Sequence, residues 1–425
     1  MTVEVITFGC RLNQNEGVEV KKRAEEAGLK NVIILNSCSV TSEAERQLRQ
    51  SIRKLHRKEP NKKIIVTGCA AQVNPVLYSA MPEVDKVIGN IEKMQPQTYE
   101  SLLYNNSEKI LVNDIMSVRE TAHYIPDIIE ERVRAFLQIQ NGCNHSCTFC
   151  IIPYGRGNSR SVPLGEIVAN AQNLVDRGFK EIVLTGVDIT DYGLDLPGQP
   201  SLTEIIKRLL NNVSNLPRLR LSSIDVAELK SDFIDLFAHE KRIMPHLHLS
   251  LQSGDNMILK RMKRRHSRED IIRFCSKVRS LRPETEFGAD IIAGFPTETQ
   301  DMFQNTVNLL REIGISYLHV FPYSERHGTP AARMPQVPKN IRKERAAIIR
   351  QVGAEILRQS NANKIGKTFK VLVESDGATG RAEDFSLVKI ASKGRATGEI
   401  ATCLIKGIED EHLIGAREEN STKLF

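Results

Sequence analysis

Short β-branched runs alternate with amphipathic stretches along most of the chain. Val3–Phe8, Val32–Leu35, Ile64–Thr67 and Val84–Ile88 are apolar runs of strand length, and helical periodicity fills the gaps, as over Glu43–His56. Parallel strands joined by helices carry this pattern, because helices cover both faces of the sheet. Residues 1–115 therefore predict a parallel α/β unit. The rhythm repeats over 130–362, with candidate strands Ala135–Ile139, Glu181–Leu184, Arg218–Leu221, His246–Leu249, Phe287–Ile292 and Tyr317–Val320. Pro163 opens a helix whose apolar face is Leu164, Ile167, Val168, Ala171, Leu174 and Val175, and Gly178 closes it. Six β/α repeats predict a partial (β/α)6 barrel. A long helix is expected over 338–364. Over 365–425 the pattern changes to short strands (Phe369–Val373, Phe385–Ile390, Glu399–Ile405), which predicts a small β-barrel.

Composition adds little to this picture. The 425 residues are 40% hydrophobic and 26% charged, as in ordinary soluble proteins. No secretory signal is visible, and no run approaches the roughly 18 apolar residues of a membrane helix. A cytoplasmic protein is expected. The net charge of +7 is compatible with a polyanionic partner without requiring one.

The cysteines change the picture most. They stand at 10, 38, 69, 143, 147, 150, 275 and 403. Cys143-Asn-His-Ser-Cys147-Thr-Phe-Cys150 has C-x3-C-x2-C spacing and follows the first strand of the predicted barrel. Three thiolates this close can wrap one face of an iron–sulfur cube and leave the fourth iron open. Structural zinc prefers four protein ligands, often in paired C-x2-C units. No second pair follows here, and His145 as a fourth ligand would lie inside the tight loop. Cys10, Cys38 and Cys69 each follow a predicted strand, at the edge where open parallel sheets bind ligands, so they form a second candidate trio. The alternative is three buried core cysteines, the reading that suits Cys275 and Cys403.

C-x3-C-x2-C with Phe149 before its last cysteine resembles the signature of the radical S-adenosylmethionine superfamily. That resemblance implies S-adenosylmethionine bound at the open iron and cleaved to a 5′-deoxyadenosyl radical. Thr185 and Gly186 would hold the methionine amino group. Ser222 and Ser223 would approach the ribose, and Gly294 the adenine, with Phe149 and Gln252 as further contacts. Taken with the second trio and the terminal barrel, the chain resembles the methylthiotransferase family. This implies a flavodoxin-like first domain with an auxiliary cluster, a radical SAM core and an OB-like RNA-binding TRAM barrel. Two [4Fe-4S] clusters are implied. One S-adenosylmethionine would methylate sulfur supplied at the auxiliary cluster, and a second would yield the radical that activates the target carbon. Thr7-Phe8-Gly9-Cys10-Arg11-Leu12-Asn13-Gln14 resembles the branch acting on threonylcarbamoyladenosine in tRNA. Asn36-Ser37-Cys38-Ser39-Val40-Thr41, Gln252-Ser253-Gly254, Met262-Lys263-Arg264 and Pro322-Tyr323-Ser324 also fit. Asp384 departs from the pattern, since relatives often carry an amide there.

The implied partners are the tRNA anticodon stem-loop, a low-potential electron donor such as flavodoxin or ferredoxin, and a sulfur donor, with no membrane. Basic runs over 46–63 and 260–265 offer RNA contacts, Arg53, Arg57, Lys263 and Arg264 among them, though such runs usually mark solvated helix faces. With no Trp in the chain, base stacking would fall to Tyr, Phe or Arg. The alternatives are action on isopentenyladenosine or on a ribosomal protein side chain, and a non-catalytic iron–sulfur RNA-binding carrier of electrons or sulfur.

Overall fold

The computed structural model describes residues 3–104, 108–120, 133–391 and 397–417. The expected domain edges at 130 and 425 lie outside the described residues. The first unit runs β1 (Val3–Thr7), α1 (Arg11–Glu26), β2 (Val32–Ser37), α2 (Ser42–Lys58), β3 (Lys63–Gly68), α3 (Cys69–Val73), α4 (Pro75–Ser79), β4 (Lys86–Ile88), α5 (Pro96–Leu103) and β5 (Ile110–Leu111). Its five strands are parallel in the order β1-β2-β3-β4-β5. The expected parallel sheet with helices on both faces is present, but its order is sequential rather than the 2-1-3-4-5 of flavodoxin. Side-chain pattern explains the difference. Val32-Ile33-Ile34-Leu35 is apolar on both faces and buried along its length, which suits an inner strand. β1 carries Glu4 and is mostly half-buried, which suits an edge. Val20 and Tyr99 pack on one face, Leu48 and Tyr78 on the other.

The central unit runs β6 (Arg134–Gln138), β7 (Gln140–Asn141), α6 (Ile152–Arg156), β8 (Arg160–Ser161), α7 (Leu164–Asp176), β9 (Glu181–Thr185), α8 (Leu202–Asn212), β10 (Arg218–Leu221), α9 (Ser231–His239) and β11 (His246–Gln252). It continues with α10 (Asn256–Arg261), α11 (Arg268–Leu281), β12 (Glu286–Ala293), α12 (Gln300–Ile313), β13 (Tyr317–Pro322) and α13 (Lys339–Ala362). Two parallel sheets, β10-β9-β6 and β11-β12-β13, are joined by the bridges Leu219–Ile243 and Ile224–Leu249. No pairing joins β6 to β13 among the described residues, so this six-stranded barrel stands open on that side. Leu137, Ile182, Leu219, Leu247, Phe287 and Val320 pack outward on the helices, and the alternate residues face the lumen.

The last five strands close into a barrel ordered β14 (Thr368–Val373), β15 (Thr379–Arg381), β16 (Leu387–Ile390), β18 (His412–Arg417) and β17 (Ile400–Glu409). This small barrel stops the floor of the central one. Arg134, Glu181, Arg218, His246 and Tyr317 are each the first residue of their strand. Phe385 fits among them, 4.8 Å from the His246 ring and 5.0 Å from the Arg220 guanidinium. It does so at φ 74°, a conformation rare for a bulky side chain, so the contacts must outweigh backbone strain. Arg218 Nη2 donates to Lys370 O at 2.7 Å. Glu181 is fully buried and accepts from Arg220 Nε at 2.9 Å. Burial opposes its ionisation, but Arg220, Arg134 and Arg218 hold its pKa below the usual range. Glu181→Gln should therefore cost about 3–5 kcal/mol and loosen the terminal barrel, read as faster hydrogen exchange in β14 and β15.

Asp384, the acid standing where relatives often carry an amide, serves the barrel's interior. It is buried, 2.9 Å from Lys364 Nζ, and accepts the Ser386 N–H. The acid is spent on an internal ion pair.

Candidate functional site

The first trio is built at three neighbouring strand ends, in the order of their strands. Cys10 is exposed at the edge, Cys38 buried in the middle, and Cys69 half-buried. Glycine makes the approach possible. Gly9 and Gly68 adopt φ 93° and 91°. A Cβ on Gly9 would lie 2.6 Å from Cys38 Cβ, and one on Gly68 2.4 Å from Ser37 N. Asn13 staples the loops together: its Nδ2 donates to Phe8 O at 2.9 Å and Ser37 O at 2.8 Å. Ser37 Oγ accepts the N–H groups of Ala70 and Ala71, fixing the helix turn that begins at Cys69. Burial, with Cys69 and Cys10 close by, pushes the Cys38 thiol up to about 12.

The second trio wraps the loop between β7 and α6. Cys143 N donates to Gly157 O at 3.0 Å and Cys150 N to Cys147 O at 3.1 Å. Phe149 packs in a small cluster with Met262, Phe295 and Tyr323, its ring edge-on to Phe295. His145 is committed elsewhere: Asp188 lies 2.8 Å and Glu228 3.2 Å from its Nε2. Neither trio draws its sulfurs within 4.8 Å of one another. A single zinc ion, with bonds of about 2.3 Å, would bring them to roughly 3.8 Å. Spread thiols with donors aimed at sulfur suit a larger, multi-iron group.

A buried polar network joins the two trios. Arg156, six residues past Cys150, donates from Nε to Cys69 Sγ at 3.2 Å. Its other nitrogens reach Asn13 and Glu16, and Glu16 also accepts from Lys93 Nζ at 2.7 Å. Asn90 Nδ2 lies 3.7 Å from Cys69 Sγ. Burial works against ionisation of Glu16, but Arg156 and Lys93 outweigh it and hold the pKa at about 2. The unfolded chain binds this proton near pH 4.5, so the ionised network stabilises fully above that value and loses its contribution as pH falls toward 2. In metal-free protein this acid limb should amount to on the order of 3 kcal/mol and be absent from Glu16→Gln, as acid titration followed by circular dichroism will show.

The strand-end residues expected at the cofactor are variously placed. Thr185 ends β9, and Gly186 leads to Val187 and Asp188, whose N–H groups are held by Gln140 Oε1 at 3.0 and 2.9 Å. Ser222 and Ser223 follow β10, and Ser222 Oγ is a buried hydroxyl without a hydrogen-bond partner. Gln252 ends β11 at φ 68°, beyond a bulge. Gly294 packs against Arg342 so closely that a Cβ would lie 2.7 Å from Arg342 Cγ, and its N–H donates to Glu298. Arg53 and Arg57 are exposed on α2, Lys263 is exposed, and Arg264 turns inward. The Arg264 guanidinium donates to Asp225 at 2.8 Å and Ser250 O at 2.7 Å, and lies 3.7 Å from Cys147 Sγ, so it is unavailable to RNA. Sequence reading passed over Arg156, Glu16 and Lys93. The glycines before Cys10 and Cys69 were the available signal for the close approach of the loops.

Comparison with known proteins agrees with this architecture. The Radical SAM superfamily matches residues 137–310, and the family described as Uncharacterized protein family UPF0004 matches residues 2–89. The chain belongs to the tRNA methylthiotransferase family of radical SAM enzymes, whose members use S-adenosylmethionine and [4Fe-4S] clusters. It is 55% identical to the threonylcarbamoyladenosine tRNA methylthiotransferase MtaB of Rickettsia prowazekii, over 96% of both chains. Against MtaB of Bacillus subtilis the identity is 38%, over 81% of this chain and 78% of the relative. The tRNA-2-methylthio-N(6)-dimethylallyladenosine synthase of Mycobacteroides abscessus is 32% identical, over 99% of this chain and 90% of that one. In fold, the chain resembles the radical S-adenosylmethionine methyltransferase TsrM of Kitasatospora setae, at a TM-score of 0.56 and 14% identity, over 78% and 77% of the two chains. No described helix is long and apolar enough to cross a membrane.

Proposed function

We propose that this enzyme transfers a methylthio group to carbon 2 of threonylcarbamoyladenosine at position 37 of tRNA, consuming two S-adenosylmethionine. The carrying observation is the 55% identity to a relative of that name over nearly the whole of both chains, against 32% for a dimethylallyladenosine synthase. Three functional units carry the work: residues 1–115, 130–362 and 365–425.

In this reading Cys143, Cys147 and Cys150 hold one cluster, and Cys10, Cys38 and Cys69 hold the auxiliary one. When bound, these groups supply one-electron reduction of S-adenosylmethionine and a site from which sulfur is delivered. The chain's own part is positioning. Arg156 and Asn90 direct N–H groups at Cys69 sulfur, and Arg264 directs one toward Cys147. Thr185, Gly186, Ser222, Ser223 and Gln252 end strands on the cysteine side of the barrel, where S-adenosylmethionine would lie, and Phe149 braces the cysteine loop. The partnerless Ser222 hydroxyl suits a ribose contact. Arg53, Arg57 and Lys263 offer an exposed basic surface for the anticodon stem-loop, whose loop bases can be splayed out and inserted. A low-potential flavodoxin or ferredoxin and a sulfur donor complete the reaction in the cytoplasm, where thiols stay reduced.

Mass spectrometry of tRNA nucleosides with and without the gene tests this. Loss of the methylthio mass from threonylcarbamoyladenosine alone supports it. Loss from the dimethylallyl nucleoside, or from a ribosomal peptide, overturns it.

A further inference from the structure

We propose that Arg11 and His319 form a receptor for the carboxylate of the substrate nucleoside, the threonyl carboxylate that a dimethylallyl nucleoside lacks. This rests on the substrate reading above.

The receptor lies at the open side of the central barrel. The first unit spans that opening. On one rim Asn15 Nδ2 donates to Phe136 O of β6 at 2.8 Å, and the Arg11 guanidinium sits 5.3 Å over the Phe136 ring. On the other rim Ser42 N donates to Ser324 Oγ at 2.9 Å, just past β13, and Arg326 pairs with Glu45. Arg11 adjoins Cys10, and Ser42 lies four residues past Cys38, so the loops that carry these two cysteines border the gap.

Strand alternation fixes what lines the gap. Leu318 and Val320 pack outward on helices, which turns His319 and Phe321 inward; Ala135 and Leu137 pack outward, which turns Phe136 inward. His319 is unusually open for a strand residue, with 65% of its side chain exposed, and Phe321 is 40% exposed. Asp290 Oδ1 lies 3.2 Å from His319 Nδ1 and 3.1 Å from His248 Nε2. A Cβ on Gly288 would lie 2.5 Å from His248 Nδ1, so glycine there leaves the space this ring fills. Asp290 thus fixes the His319 tautomer, leaves Nε2 as the nitrogen available to the lumen, and raises the imidazole above its usual pKa.

Two cationic groups, the exposed Phe321 ring and the half-buried Phe136 ring suit an adenine bearing a carboxylate. The rings offer stacking faces, and the cations offer charge-assisted hydrogen bonds. A dimethylallyl group would give neither cation a partner beyond those the chain supplies, Gln14 for Arg11 and Asp290 for His319.

The test uses the cluster-loaded full chain and three anticodon stem-loops, carrying threonylcarbamoyladenosine, its threonyl methyl ester, or dimethylallyladenosine at position 37. The wild type should bind the acid about tenfold or more tighter than the neutral ester. Arg11→Met and His319→Gln should each shrink that ratio, and the double variant should bring it near one. Unchanged iron content and circular dichroism show that the variants are folded, and the ratio itself is insensitive to a partial loss of active protein. A double variant that keeps the wild-type ratio overturns the receptor. If the wild type binds acid and ester equally yet converts threonylcarbamoyladenosine, the receptor fails and the substrate reading stands. If it converts only dimethylallyladenosine, both fail.

Discussion

Replacing Cys10, Cys38 and Cys69 together by alanine will leave a protein with about four irons in place of about eight, still able to cleave S-adenosylmethionine to 5′-deoxyadenosine and unable to methylthiolate tRNA. The loss is all-or-none, because removing a sulfur-delivery site abolishes the product and does not merely slow its formation. The mirror variant, with Cys143, Cys147 and Cys150 replaced, should keep about four irons and make no 5′-deoxyadenosine. Anaerobic reconstitution, iron and sulfide analysis and chromatography of the cofactor products read both. Equal iron in wild type and the first variant would remove the physical basis for the auxiliary site. The two trios sit on different units, linked by the Arg156 network, which both triple variants leave in place except for the Cys69 sulfur.

Arg156→Met is expected to have the largest effect outside the cysteines. Only about 4% of the Arg156 side chain is exposed, and its guanidinium reaches Cys69, Asn13 and Glu16 together. Losing it leaves the buried Glu16 with Lys93 alone, which should cost about 3–5 kcal/mol. Because α6 belongs to the central barrel and its partners to the first unit, that energy holds the two units together. Hydrogen exchange should rise at α1, α3 and α6, and first-trio iron should be lost selectively. Arg156→Lys should recover little, since an ammonium cannot reproduce a planar fork aimed at several acceptors. Exchange at the wild-type rate across this interface would show that the network does not bear the docking.

Local information in the sequence reached as far as strand ends. Cys10, Cys38 and Cys69 each follow an apolar run, so their shared edge was legible without knowing which strands are neighbours. Strand order was not, because it depends on the difference between a two-faced run such as Val32–Leu35 and the edge-like Val3–Thr7. β15 and β18 escaped notice because Thr379–Arg381 is very short and glycine interrupts both. Arg264 was misread for a geometric reason: α10 ends at Arg261, and Lys263 at φ 57° turns the chain, so helical phase no longer says which basic residue faces solvent. Arg156 reaches Cys69 and Asn13 over separations of 87 and 143 residues, through contacts that no periodicity encodes.

With Phe385 and its neighbours seated under the barrel strands, the reaction chamber is a cul-de-sac. Among the described residues the chamber stays open on the cysteine side and, between β6 and β13, toward the first unit. The closed floor shields the lumen from solvent on the side away from the cysteines.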